Sequence, residues 1–167
     1  MWLVDAIVRR AQRGDAAALD AVVRDLAPYL GRICAAIALD RGDDALQEAM
    51  VVIVRNIGAL REPAALRGWA RRIAVREAVR VAQRGRVDVP VDPAVLDPGV
   101  VVPDGATETE VRAVLAQLAP EHRAVLVLRH LDGLDEREMA EVLGVQPGTV
   151  KSRLHRAGIA FRARWSA

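Results

Sequence analysis

Hydrophobic residues recur at helical spacing along most of this 167-residue chain. Leu3, Ile7 and Val8 fall on one face of a first helix that Gly14 stops. Asp15 can cap a second, with Leu19, Val22, Val23, Leu26 and Leu30 in register, and Pro28 inside it is expected to kink or end it. The break Arg41-Gly42-Asp43-Asp44 starts a third helix carrying Leu46, Met50, Ile53, Val54 and Ile57, closed by Gly58. Pro63 suits the first turn of a fourth, running to about Arg84-Gly85 through Leu66, Trp69, Ile73 and Val81. The pattern predicts one helical bundle over residues 1–86.

Residues 87–106 lose the periodicity. Four of the eight prolines (Pro90, Pro93, Pro98, Pro103) and four aspartates fall there. The valines invite a strand, but prolines at this density exclude a regular ladder, so the segment reads as a linker. A second helical unit is expected over 107–167. Thr107 or Thr109 can cap a helix through Leu115 and Leu118, and Pro120 opens another with Val125, Leu126 and Leu128 inward, ended by Gly133. Asp135 with Glu138 has capping-box spacing. Gly144 ends that short helix, and a last one begins near Thr149. The fold class is all-α: two small helical domains, a bundle and a helix-turn-helix unit, joined by a Pro/Asp-rich linker.

Composition narrows the classes. Aromatics are only 3% of residues, so the core is built from Ala, Val, Leu and Ile. Cys34 is the sole cysteine, which excludes an intrachain disulfide and a cysteine zinc site, and it reads as a small core residue. No segment has the roughly 18 uninterrupted apolar residues of a membrane span, and the N-terminus lacks a signal-peptide pattern. A cytoplasmic protein without membrane insertion is expected.

Charge changes the picture more. The net value is only +2, but residues 63–86 carry +6 and residues 149–167 carry +5 with no acid at all. Between them residues 87–106 and 107–148 carry −4 each, and residues 1–62 carry −1. Two basic segments separated by acidic ones fit a polyanion bound at two places. Solvated arginine faces are the plainer alternative for either segment alone.

The stretch Leu134 to Val145 followed by Gly148-Thr149-Val150 has helix-turn-helix grammar. Met139, Val142 and Leu143 point inward, Ala140 allows a close crossing, Gly144 supplies a left-handed turn and Val145 plugs the junction. Val150, Leu154 and Ala157 or Gly158 make the buried stripe of the last helix. Thr149, Lys151, Ser152, Arg153, His155 and Arg156 remain outside as donors for phosphates and base edges.

Here the chain resembles a known family. Leu118-Ala119-Pro120-Glu121-His122-Arg123-Ala124-Val125-Leu126, Gly133-Leu134 and Gly148-Thr149-Val150-Lys151-Ser152-Arg153-Leu154-His155-Arg156-Ala157 look like the promoter −35-binding domain of bacterial sigma factors, most of all those of the extracytoplasmic-function group. Asp44-Ala45-Leu46-Gln47-Glu48-Ala49-Met50 resembles the segment by which such factors grip core RNA polymerase. Arg67-Gly68-Trp69-Ala70-Arg71-Arg72-Ile73-Ala74 resembles the start of their −10-element helix. The resemblance implies a factor that binds core polymerase at its clamp and flap regions and directs it to promoter DNA, and it implies an anti-sigma partner. By the same resemblance Asp44, Leu46, Gln47, Glu48 and Met50 meet polymerase. Arg61, Trp69, Arg71, Arg72, Arg76 and Arg80 meet the −10 strand, while Thr149, Lys151, Ser152, Arg153, His155 and Arg156 read the −35 element.

Two departures stand out. Met50, Val51, Ile53 and Val54 occupy places where such factors usually carry aromatics, which supply stacking for single-stranded bases. Trp69 is the main candidate left for that role, or else a core residue. Arg76 and Glu77 stand where an amide or apolar residue is more usual. No cofactor is implied. The three histidines lack metal-ligand spacing, and no Gly-rich phosphate loop occurs, so an enzyme is not expected. A stand-alone helix-turn-helix regulator is the rival reading; it would dimerise on a two-fold site and leave Asp44–Met50 unexplained.

Overall fold

The computed structural model describes residues 2–84 and 107–165, with side chains from Asp5 onward. The expected linker, 87–106, lies outside the described residues. Among those described, every regular element is helical. The chain divides into two compact units, the first ending at Val81 and the second starting at Ala82.

The first unit is organised around one long helix. After α1 (Trp2–Gln12), Gly14 at φ +87° turns the chain, and Asp15 caps α2 (Ala16–Ala38) by accepting from the Ala18 N–H at 3.0 Å. Val22, Leu26, Leu30, Ile33 and Ile37 form its buried stripe. A fully buried side chain of this size contributes about 1.5–3 kcal/mol. That explains a difference from the sequence reading: α2 runs unbroken through Pro28. A proline inside a helix costs about 3 kcal/mol. Burial on both sides of it outweighs that cost, and Pro28 lies on the exposed face, where water can serve the carbonyl left without a donor.

At Leu39 (φ +56°) the chain turns through a 3₁₀ segment into α3 (Gly42–Asn56). Ala45, Ala49 and Ile53 give α3 a buried stripe of mostly small residues, and it packs against α2. The expected stop at Gly58 is also corrected. α3 ends at Asn56, and Gly58 sits within a 3₁₀ turn, Ile57–Ala59, with no left-handed cap. Pro63 opens a further 3₁₀ turn, Pro63–Ala65, that leads into α4 (Leu66–Gln83). Leu66, Ala70, Ile73, Ala74, Ala78 and Val81 face inward. The Cys34 thiol donates to the Ala74 carbonyl at 4.0 Å, and Arg41 donates to the Val81 carbonyl at 2.9 Å, which ties α4 to α2 and to the start of α3. Burial pushes the Cys34 thiol up to about 12, so it is an inert core group.

The second unit comprises α5 (Glu108–Ala116), α6 (Pro120–His130), α7 (Glu136–Leu143) and α8 (Pro147–Trp165). Thr107, not Thr109, is the cap of α5, in a reciprocal capping box with Glu110. α8 packs on the other three helices through Val150, Ala157, Ala160 and Phe161. Arg123, only 2% exposed, donates to the carbonyls of Leu118 at 2.8 Å and Leu115 at 3.4 Å. Its cation thereby satisfies the C-terminal end of α5, where the helix dipole favours positive charge.

Candidate nucleic-acid interface

In the second unit the local chemistry of α7 and α8 builds a helix-turn-helix. The Asp135 carboxylate accepts from the N–H groups of Arg137 and Glu138, and Glu138 returns the bond to the Asp135 N–H at 2.9 Å. At the other end Gly144 adopts φ +66°, ψ +34° and donates to the Ala140 carbonyl, joined by the Val145 N–H at 3.1 Å. A Cβ at Gly144 would touch nothing, so the backbone angle rather than space calls for glycine. Met139, Ala140 and Val142 are buried as expected, whereas Leu143 and Val145 are half-buried.

The last helix starts two residues earlier than expected, at Pro147, with the Thr149 and Val150 N–H groups donating to the Gln146 carbonyl. Of its predicted donors, Lys151, Ser152 and Arg156 are exposed, while Thr149, Arg153 and His155 are half-buried. Leu154, expected in the buried stripe, is half-buried. Ser152 Oγ donates to the Thr149 carbonyl at 3.0 Å, and Arg156 Nε to the Ser152 carbonyl at 3.2 Å. Both can exchange these surface bonds for a ligand at little cost. Two residues outside the predicted set, Arg137 and Gln146, border with Thr149 a depression of about 610 Å³ beside the start of α8. Only the packing of α7 on α8 brings Arg137 to that edge, so no spacing rule could have found it.

His122 on α6 belongs to the same basic neighbourhood. Its Nδ1 has no hydrogen-bond partner among the described residues. Burial first, then the charges of Arg156, Arg153 and Arg164, hold its pKa below the ordinary imidazole value.

In the first unit α3 presents Asp44, Gln47, Val51 and Val54 to the exterior, with Leu46, Glu48 and Met50 half-buried. Val51 and Val54 are 42% and 36% exposed, unusual for large apolar side chains and adjacent on one face. On α4 Arg72 and Arg76 are exposed, as is Arg61 before it, while Trp69 and Arg71 are half-buried. Arg80 is bound up in ion pairs with Glu48 and Glu77. The six residues expected along the −10 strand are therefore not equally presented. Glu77, 5% exposed, is a buried carboxylate that periodicity alone places among core positions. Arg67, in the first turn of α4, pairs with Asp25 at 3.3 Å and lies 5.8 Å over the Tyr29 ring.

Comparison with known proteins places this arrangement in a family. Residues 108–157 match the model of sigma-70, region 4. The chain is 31% identical over 157 residues to an extracytoplasmic-function sigma factor, SigE of Mycolicibacterium smegmatis, covering 86% of this chain and 61% of that one. SigM of Mycobacterium tuberculosis, another of that group, is 36% identical over 119 residues, 69% of this chain and 59% of its own. The RNA polymerase sigma-H factor of Pseudomonas aeruginosa is 31% identical over a gapped alignment 172 positions long, covering 90% of this chain and 88% of its own length. The chain belongs to the sigma-70 family, in its extracytoplasmic-function group. It spans about three-fifths of the length of the SigE and SigM relatives. Two solved structures share the fold. CnrH, in complex with the cytosolic domain of CnrY, superposes with TM-score 0.62 at 21% identity over 98% of this chain and 95% of its own. RpoE of Bartonella quintana, in complex with the anti-sigma factor NepR, gives 0.60 at 18% identity over 89% and 94%. No helix among the described residues is long and apolar enough to cross a membrane.

Proposed function

We propose that this protein binds core RNA polymerase and directs it to promoters, acting in the cytoplasm as an initiation factor without a reaction of its own. The observation that carries the proposal is the match to a sigma factor over 90% of the chain, which spans both units. A helix-turn-helix regulator that works alone would account for the second unit only.

In this reading residues 1–86 form the polymerase- and −10-binding domain, residues 107–167 the −35-binding domain, and 87–106 the linker between them. The α3 face of Asp44, Leu46, Gln47, Glu48 and Met50, extended by exposed Val51 and Val54, docks on the clamp. Burying two exposed valines gives that contact an apolar centre inside a polar rim. Lys151, Ser152 and Arg156 enter the major groove, with Thr149, Arg153 and His155 at the edges and Arg137 and Gln146 on the flanking backbone. The −35 domain also meets the flap. An anti-sigma factor that covers the α3 and α8 surfaces would silence the protein; RpoE of Bartonella quintana, which shares the fold, is held in complex with an anti-sigma factor, NepR.

The test is binding of the labelled full chain to core polymerase and, separately, to duplex DNA. The proposal expects a saturable complex with core and weak, salt-sensitive binding to DNA alone. Tight, sequence-specific duplex binding by a dimer without core would favour the regulator.

A further inference from the structure

Arg72, Arg76 and Arg80 recur every four residues along α4 and would make one cationic row on a regular helix. The structure breaks that row at its third member. Arg80 Nε donates to Glu77 Oε2 at 2.7 Å, its Nη2 bonds the same oxygen, and Nη2 also pairs with Glu48 of α3. Glu77 further draws Arg76, whose Nε lies 3.8 Å from Oε1.

The four groups differ in what they can give up. The Glu77 side chain is 7% exposed, Glu48 31%, Arg80 47% and Arg76 70%. Losing Arg80 would leave the buried Glu77 carboxylate with only the looser Arg76 contact at 3.8 Å, the most destabilising outcome open to the group. Glu48 can return to water if a partner draws it away, and Arg76 can swing outward. Arg80 therefore stays with Glu77. Held between two carboxylates, its charge is already compensated, so it cannot release counterions from a phosphate backbone as a bare arginine does.

We infer that Glu77 is a positioning residue of the DNA-binding surface: it withdraws Arg80 into a strut between α3 and α4 and leaves Arg72 and Arg76 as the cations that meet the promoter strand. This rests on the reading that α4 faces DNA. It replaces one member of the expected −10 set with a structural role and gives Glu77 a role that no motif assigned. It also sets Glu48 on the strut, so the polymerase-facing helix and the DNA-facing helix share one ion-pair group.

The experiment measures anisotropy of a fluorescein-labelled, mixed-sequence single-stranded oligodeoxynucleotide bound by the full chain over a range of salt. Each phosphate neutralised adds about 0.7 to the slope of log K against log salt. Arg72→Ala is expected to lower the slope by about 0.7 and Arg80→Ala to leave it unchanged. Glu77→Gln, which leaves Arg80 only the more exposed Glu48 as a charged partner, one that a strand can displace, raises it by up to about 0.7, and Glu77→Gln with Arg80→Gln restores the wild-type value. Merely structural damage would not produce that restoration. Equal losses in Arg72→Ala and Arg80→Ala overturn the inference; where a single variant at Glu77 or Arg80 fails to fold, the double variant, which leaves no charge of that pair buried, decides it, and a slope about 0.7 below wild type overturns the inference. No change in either Arg72→Ala or Arg76→Ala instead removes the reading of α4 as a DNA face, and the inference with it.

Discussion

Asp135 and Glu138 each accept a backbone N–H from the other's position, closing the first turn of α7 through local bonds. The box sets the axis of α7, and with it the angle at which Gly144 delivers the chain to α8. Asp135→Ala removes two acceptor bonds at once and is expected to destabilise the second unit by about 1 kcal/mol, the usual cost of a lost N-cap. Chemical denaturation of the wild type and variant checks it. An unchanged midpoint would show that packing of Met139 and Val142 holds α7 without the cap.

Gly42 and Gly68 should respond in opposite senses to alanine. A Cβ at Gly42 would lie 2.7 Å from the Ala35 Cα, backbone that cannot yield, whereas one at Gly68 meets nothing within 4 Å. Gly42→Ala is expected to cost about 1–3 kcal/mol by overpacking α3 on α2. Gly68→Ala, in α4, should gain about 0.5–1 kcal/mol through the unfolded state. Thermal melts of the two variants give the comparison directly.

Acid should loosen the second unit before it loosens the first. Burial, followed by neighbouring arginines, lowers the pKa of His122, and burial, followed by Arg129, lowers that of His130. The folded state thus prefers both imidazoles neutral, while the unfolded chain takes up protons near the ordinary value of about 6.5. Between those values the unfolded state binds more protons, so stability present above about pH 6.5 is lost as pH falls. His122→Gln should flatten part of that loss in melts between about pH 7.5 and 5.5. A variant as acid-sensitive as the wild type would remove His122 from the account.

The parts of this fold that could be read from the chain are those decided within a few residues. The caps at Asp15, Thr107 and Asp135, the left-handed Gly144, the buried stripe of α6 and the Val22, Leu26 and Leu30 part of the α2 stripe all depend on near neighbours, and each is found in place, whereas Leu19 and Val23 are half-buried. What could not be read depends on distant packing. The helix through Pro28 survives because α2 is buried along its length against α1 and α3, which no window around the proline reveals. The same holds for the interface. Arg80 looked equivalent to Arg76 until α3 brought Glu48 beside it, 32 residues away in sequence. Trp69 and Arg71, half-buried against the bundle, show the same limit.

For the α8 surface, Lys151→Ala and Arg156→Ala are each expected to weaken promoter binding by about 1–3 kcal/mol where they reach base edges. A residue limited to phosphates would instead weaken all sequences alike and reduce the salt dependence. Comparing a selected promoter with scrambled duplex separates the two roles. Full binding by both variants would move the reading surface away from α8.

The most direct test of the central claim is run-off transcription by bacterial core polymerase on a library of genomic fragments, with and without this protein. The account predicts discrete new start sites that need both the protein and core, with two promoter elements shared among them upstream. Transcripts identical in the presence and absence of the protein, under conditions where it is bound to core, would contradict it.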